Sequence, residues 1–203
     1  RICWSSDAAD RVRMLSQITQ ATASQLAPRT AAIISAFPEE SAKLAIDLVC
    51  YRWMTSSSSL PTDIKNINEI ISAFTSQTGD QTVVWSAQIF QTPETRREIT
   101  TLPPRDDPRV DRLAKLYSEF ETAIDYEESS PVQAVKSLTA ALEICQELKL
   151  DLCEAVILKE LGDHFLYGMA RTRQAETCYN RAVWMFSAYG SLESCAIIYD
   201  ELG

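Results

Sequence analysis

His164 is the only histidine in the chain, so Ser-His-Asp or Cys-His catalysis within these residues would have to run through it. Asp163 precedes it and could orient the ring, and Cys153 or Cys178 could supply a thiol nucleophile. Against that chemistry, His164 falls inside a helical pattern whose other residues are explained by packing, which predicts a structural or surface histidine. Glu127 and Glu128 are neighbours in sequence and would point to different sides of a helix, so they do not form an acid-base pair. The sequence has no nucleophile elbow, no Gly-rich phosphate loop and no metal-ligand spacing. The expectation is a protein that is not an enzyme, with no catalytic residues, no cofactor and no metal.

The six cysteines stand at positions 3, 50, 145, 153, 178 and 195 with no C-x-x-C pair. Four of them fall within apolar helical patterns, where a thiol acts as a small hydrophobe. Reduced, buried thiols in a cytoplasmic protein are expected, rather than a disulfide framework. The formal charge of -9 is uneven: residues 1–105 hold 10 acidic and 10 basic side chains, and residues 106–203 hold 18 and 9, so 9 − 18 = −9 gives the whole excess. Such a surface repels phosphate, which predicts no nucleic-acid or anionic-membrane partner and favours basic ones. No apolar run approaches the roughly 20 residues needed to cross a bilayer, and the N-terminus lacks the blocks of a signal peptide. A chain opening on Arg1 and closing on the apolar stretch Ala196-Ile197-Ile198-Tyr199 reads as a piece of something longer.

Five glycines in 203 residues, with many Ala, Leu, Glu and Gln, favour helices over the tight hairpins of all-β folds. An all-α protein is expected. Val12, Leu15 and Ile18 give helical spacing between Asp7 and Leu26, ended or kinked at Pro28. Thr30 to Phe37 is a short segment leading to Pro38-Glu39-Glu40, a helix start continued by Leu44, Leu48 and Tyr51. Thr62-Asp63 caps a stripe of Ile64, Ile67, Ile70, Ile71 and Phe74 that closes at Gly79. Val83 to Phe90 fits a strand or a buried helix equally by periodicity and is assigned helix from context. Leu102-Pro103-Pro104-Arg105-Asp106-Asp107-Pro108 separates an N-terminal helical region, 1–101, from a second half, 109–203.

That second half repeats itself. Ala155-Val156-Ile157-Leu158-Lys159-Glu160-Leu161-Gly162 aligns with Ala196-Ile197-Ile198-Tyr199-Asp200-Glu201-Leu202-Gly203 at an offset of 203 − 162 = 41. The same offset maps Ala134, Leu138 and Ala141 onto Ala175, Tyr179 and Ala182, and Ala114, Tyr117 and Phe120 onto Ala155, Leu158 and Leu161. Small residues recur where two helices must approach closely. The first-helix residues Leu158, Leu161, Gly162 and Phe165 and the second-helix pattern Ala175, Tyr179, Ala182 resemble a tetratricopeptide repeat. The 41-residue period exceeds the usual ~34 and is similar to the longer kinesin-light-chain type. Glu121 stands where the family prefers Gly. The resemblance implies a helical-hairpin array, an α-solenoid, over residues 109–203 with its last unit truncated, preceded by further helices that could be diverged repeats.

In such arrays the first helix of each unit lines a concave groove, and positions four apart along it face the ligand. Here these are Lys159, Asp163 and Tyr167, with Leu166 adjacent, and 41 residues earlier Ser118, Thr122 and Tyr126. A tyrosine at the same place in both units offers amphipathic contact area of the kind found at binding hot spots; packing between units is the plainer role for both. Some relatives grip a carboxylate with Lys and Asn at these positions, but Asp163 replaces the Asn and would repel it. Glu119, Glu121, Asp125, Glu127 and Glu128 could attract a basic peptide, or form a solvated helix face. The expected function is a protein-interaction scaffold: a segment of a large helical-repeat subunit of a multi-protein assembly, of cytoskeletal or ciliary kind, binding a basic or amphipathic protein segment. The competing expectation is the regulatory or sensing arm of a larger enzyme such as a protease or nucleotide hydrolase.

Overall fold

The computed structural model describes residues 38–55, 75–76, 79, 108–127, 129–189 and 191–202, all of them helix, turn or connector with no strand. The helices are α1 (Pro38–Thr55), α2 (Pro108–Asp125), α3 (Pro131–Leu148), α4 (Asp151–Asp163), α5 (Thr172–Ala188) and α6 (Leu192–Leu202), and a π-helical turn, His164–Gly168, extends α4. Helices expected over 7–26, 30–37 and 83–90, and most of the one expected over 62–79, lie outside the described residues. Gly79 lies within them and has φ +70°. Its N–H donates to the Thr75 carbonyl at 3.0 Å, the left-handed helix ending for which glycine suits best.

Each helix of the second half follows from its apolar spacing. In α2 the buried residues Leu113, Leu116, Phe120 and Ala123 recur every three or four positions, so they share one face. Pro131 opens α3 at a position that needs no N–H donor, and Ala134, Leu138, Ala141, Ile144 and Cys145 are buried along it. The helix ends on Lys149 in the left-handed conformation, φ 58°, and Leu150 N–H reaches back to the Cys145 carbonyl at 2.9 Å. Leu150 itself is buried, which supplies the apolar contact that accompanies this type of helix stop.

Pairing is local along most of this half. α2 packs on α3, α3 on α4, α4 on α5, and α5 on α6. The starts of α3 and α5 are separated by 172 − 131 = 41 residues, and those of α4 and α6 by 192 − 151 = 41. Ala134 and Ala175, Leu138 and Tyr179, and Ala141 and Ala182 are all buried, so these positions of α3 and α5 pack alike, whereas Ala114 of α2 is exposed where Ala155 of α4 is buried. Gly168 brings the π turn close to the start of α3, where a Cβ on it would stand 2.7 Å from Pro131 Cβ.

α1 makes contacts far from its own place in the sequence. α1 packs on α4, and this accounts for a helix whose residues from Leu152 to Leu158 are all buried. A helix buried all round needs partners on every side, and α3, α5 and α1 supply them. Trp53 of α1 stacks tilted against Tyr117 and edge-on against Phe120 of α2, with centroids 4.6 and 5.5 Å apart. Tyr51 meets Phe186 of α5 edge-on at 6.3 Å. The N-terminal region and the second half therefore share one core.

Candidate functional site

The face of α4 that carries Lys159, Asp163 and Tyr167 divides in two. Its N-terminal part, Leu152 and Val156 on the same stripe, is buried. Its C-terminal part opens outward, and Tyr167 is 71% exposed. Tyr126, in the turn after α2, is 41% exposed, and 167 − 126 = 41 places the two rings one period apart. Ser118 is exposed and Thr122 half-buried, the Thr122 hydroxyl donating to the Ser118 carbonyl at 2.7 Å within α2. Leu166 is partly buried and packs against the core.

Lys159 and Asp163 are less open than the spacing predicts. Both are half-buried, and Lys159 Nζ donates to Asp163 Oδ2 at 2.6 Å and to Glu160 Oε1 at 3.2 Å. Asp163 Oδ1 accepts the Tyr179 hydroxyl at 2.7 Å, so both carboxylate oxygens are engaged. Tyr167 donates its hydroxyl to Glu201 Oε2 on α6. The site is thus an ammonium held by Glu160 and Asp163, with a third carboxylate, Glu201, held by the exposed Tyr167.

Its electrostatics follow from that arrangement. Burial raises the Glu160 carboxyl above the usual carboxylate range; Lys159 lowers it, and the charges of Asp163 and Glu127 push it up again. Burial pulls the Lys159 ammonium down, but Glu160 and Asp163 together outweigh this and hold it above its ordinary value. The hydrogen bond to Glu201 raises the Tyr167 phenol. One cation among several acids leaves a negative potential that a basic group would complement.

His164 sits at the head of the π turn and is buried. Asp163, the residue that could have oriented its ring, is committed to Lys159 and Tyr179. Cys178 is half-buried with its thiol pushed above the ordinary value, chiefly by burial, which disfavours the thiolate a nucleophile needs. Among the described residues no group of three or more His, Cys, Asp or Glu side chains could hold a metal ion.

A different feature escaped the sequence reading. Asp47 of α1 is buried and accepts N–H donations from Leu152, at 2.9 Å, and Cys153, at 3.0 Å. The residue before α4 is Leu150, which has no side-chain cap to offer, so a carboxylate from another helix takes that part and meets the positive end of the helix dipole. Burial raises Asp47 to about 7 despite both N–H donations, which pull it down. Next to it, the thiols of Cys50, Cys145 and Cys153 are all fully buried; Cys50 is pushed up to about 11, mainly by burial. The clue in the sequence is the lone acid within Ala45-Ile46-Asp47-Leu48-Val49, an apolar run.

Family models, curated proteins and solved structures return no match to this chain. Within the described residues, no helix is long and apolar enough to cross a membrane.

Proposed function

We propose that the chain is a protein-interaction scaffold: a tetratricopeptide-like array of helical hairpins over its second half that holds a partner protein. The supporting observation is the pair Tyr126 and Tyr167, both exposed, one period apart, at the C-terminal ends of α2 and α4. Neither ring is part of the core cluster, and rigid amphipathic rings give contact area at little entropic cost in a complex. The carboxylates beside them favour a basic or amphipathic segment as the partner. The closing of α4's N-terminal half by α1 confines the open face to its lower half, a footprint suited to a short segment. An assembly of cytoskeletal or ciliary kind is the proposed setting.

Affinity capture with the chain, compared with a Tyr126→Ala/Tyr167→Ala double variant, tests this reading. Neither ring is buried, so the variant should melt within a few degrees of the parent. A reproducible protein partner released by the double change is the expected result. Partners that survive the change would remove the tyrosine face from consideration.

A further inference from the structure

α4 and α6 start 41 residues apart, and from Ala155 and Ala196 onward their sequences align, yet their surroundings differ. On α4 the stripe Ala155, Leu158, Gly162 is buried. α5 covers it: a Cβ on Gly162 would lie 2.6 Å from Tyr179 Cδ1. On α6 the corresponding Ala196 is exposed and Tyr199 is 58% exposed. The adjacent face of α6 is satisfied, because Cys195 and Ile198 are buried and α6 packs on α5. So α6 keeps one apolar stripe in contact with its neighbour and leaves open the stripe that, on α4, receives a helix.

We propose that the Ala196/Tyr199 stripe of α6 is a helix-docking site, and that its occupant is an amphipathic helix with the pattern small-x-x-x-aromatic-x-x-small, flanked by Lys or Arg. Two features define this occupant. The first is the internal template: α5 meets α4 through Ala175, Tyr179 and Ala182, all buried, and residues of α6 stand where those of α4 stand. The second is charge. Between Leu192 and Leu202 the sequence carries Glu193, Asp200 and Glu201 and no Lys or Arg. Arg181 of α5 pairs with Glu154 of α4, but Cys195 takes that place on α6, so the acids that would meet a basic helix there are the exposed Asp200 and the half-buried Glu201. α5 with its flanking residues, 171–189, has Arg171, Arg173 and Arg181 against Glu176, so it is itself a basic helix of the required pattern. Apolar burial supplies the affinity, and the surrounding charges select the partner.

This site adjoins the Tyr126/Tyr167 face through Glu201, which accepts the Tyr167 hydroxyl, but its apolar stripe is formed by neither tyrosine. The test uses a fluorescein-labelled peptide of residues 171–189 titrated with the intact chain and followed by anisotropy. Saturable binding is expected, weakened at least tenfold by Tyr199→Glu or Ala196→Lys in the chain and by Tyr179→Ala in the peptide. Lys149→Gly, an exposed change at the end of α3, should bind the peptide as the parent does. Thermal melting shows whether the exposed-face variants remain folded, and either one alone is enough for the comparison. Three outcomes would overturn the proposal: no binding at high micromolar peptide; binding indifferent to both Tyr199 and Ala196, which would mean exchange with the chain's own α5 on α4; or a dimer in sedimentation that Tyr199→Glu dissolves, which would make a second copy the occupant.

Discussion

The ring of Tyr179 occupies the space that a side chain on Gly162 would need, its Cδ1 lying 2.6 Å from where a Cβ would stand. One period earlier the same two positions hold Leu138 and Glu121. There the smaller Leu138 is buried and Glu121 is exposed, so a glycine is not required. The two positions change together: Tyr179 meets Gly162 in one hairpin, and the corresponding positions of the other hold a buried leucine and an exposed glutamate.

Gly162→Ala should therefore destabilise the fold by about 1–3 kcal/mol through overpacking, despite the better helix propensity of alanine. Adding Tyr179→Leu should recover part of that loss even though the single Tyr179→Leu change is itself destabilising. Urea unfolding of the four-member cycle reads the coupling; strict additivity would show that the two residues do not press on one another.

Ala182 is fully buried in α5, at the place taken by Ala141 in α3. Ala182→Trp should lower stability by about 1–3 kcal/mol, seen as a lower melting temperature. An unchanged melting curve would mean that α5 does not approach its neighbour as closely as the alanine stripe requires.

Asp47 gives the fold a pH dependence of defined sign. Its carboxyl titrates near 7 in the folded protein and near 3.8 when exposed, so between those values the folded state holds more protons than the unfolded one. Its contribution is complete below pH 4, declines as pH rises, and is lost above about 7. The stability of the parent minus that of Asp47→Asn should fall from pH 4 to 7 and level off beyond, which cancels titrations common to both. Asp47→Ala, which leaves two N–H groups of α4 without their acceptor, should cost about 1–3 kcal/mol.

Lys149 adopts a left-handed conformation, φ 58°, that costs a residue with a Cβ roughly 1 kcal/mol. It is exposed, and Lys149→Gly should therefore stabilise the protein by about 0.5–1 kcal/mol. A lower denaturant midpoint would show that the lysine side chain contributes more than the backbone conformation costs.

The thiols should separate by burial. Cys50, Cys145 and Cys153 are fully buried and Cys178 is half-buried. Iodoacetamide at pH 8, followed by mass spectrometry, should label Cys178 at least tenfold faster than those three. Comparable rates would indicate that the α1–α3–α4 contact opens readily.

The sequence made the second half legible because its information is periodic. Ala134, Leu138 and Ala141 announce a helix and its buried side by spacing alone, whereas of Ala114, Tyr117 and Phe120 in α2 only Phe120 is buried and Ala114 is exposed; Pro38 and Gly79 mark helix ends by backbone chemistry. The candidate face was legible only in part. Tyr126 and Tyr167 stand exposed as their register implies, whereas Lys159 and Asp163 turned inward to pair with one another and with Tyr179, a choice that spacing does not encode. Least legible was the seat of α1. Its docking depends on the meeting of Asp47 with two backbone N–H groups over a hundred positions away, and such a meeting has no period. A carboxylate in the middle of an apolar helix shows only that some buried donor must await it.

That meeting also determines the order in which the protein can be completed. Hairpins such as α2–α3 and α4–α5 join neighbours in the chain and can form quickly, because little loop entropy is lost in closing them. The carboxylate that finishes the first turn of α4 has to arrive across 105 residues, and during synthesis it leaves the ribosome long before its donors exist. The second half made without α1 would thus keep its hairpins while the head of α4 frayed into water, showing fast amide exchange at Leu152 and Cys153 against a protected background. Joining the two halves is then expected to be the slower step of folding, and supplying α1 as a separate chain should make it an encounter that depends on concentration.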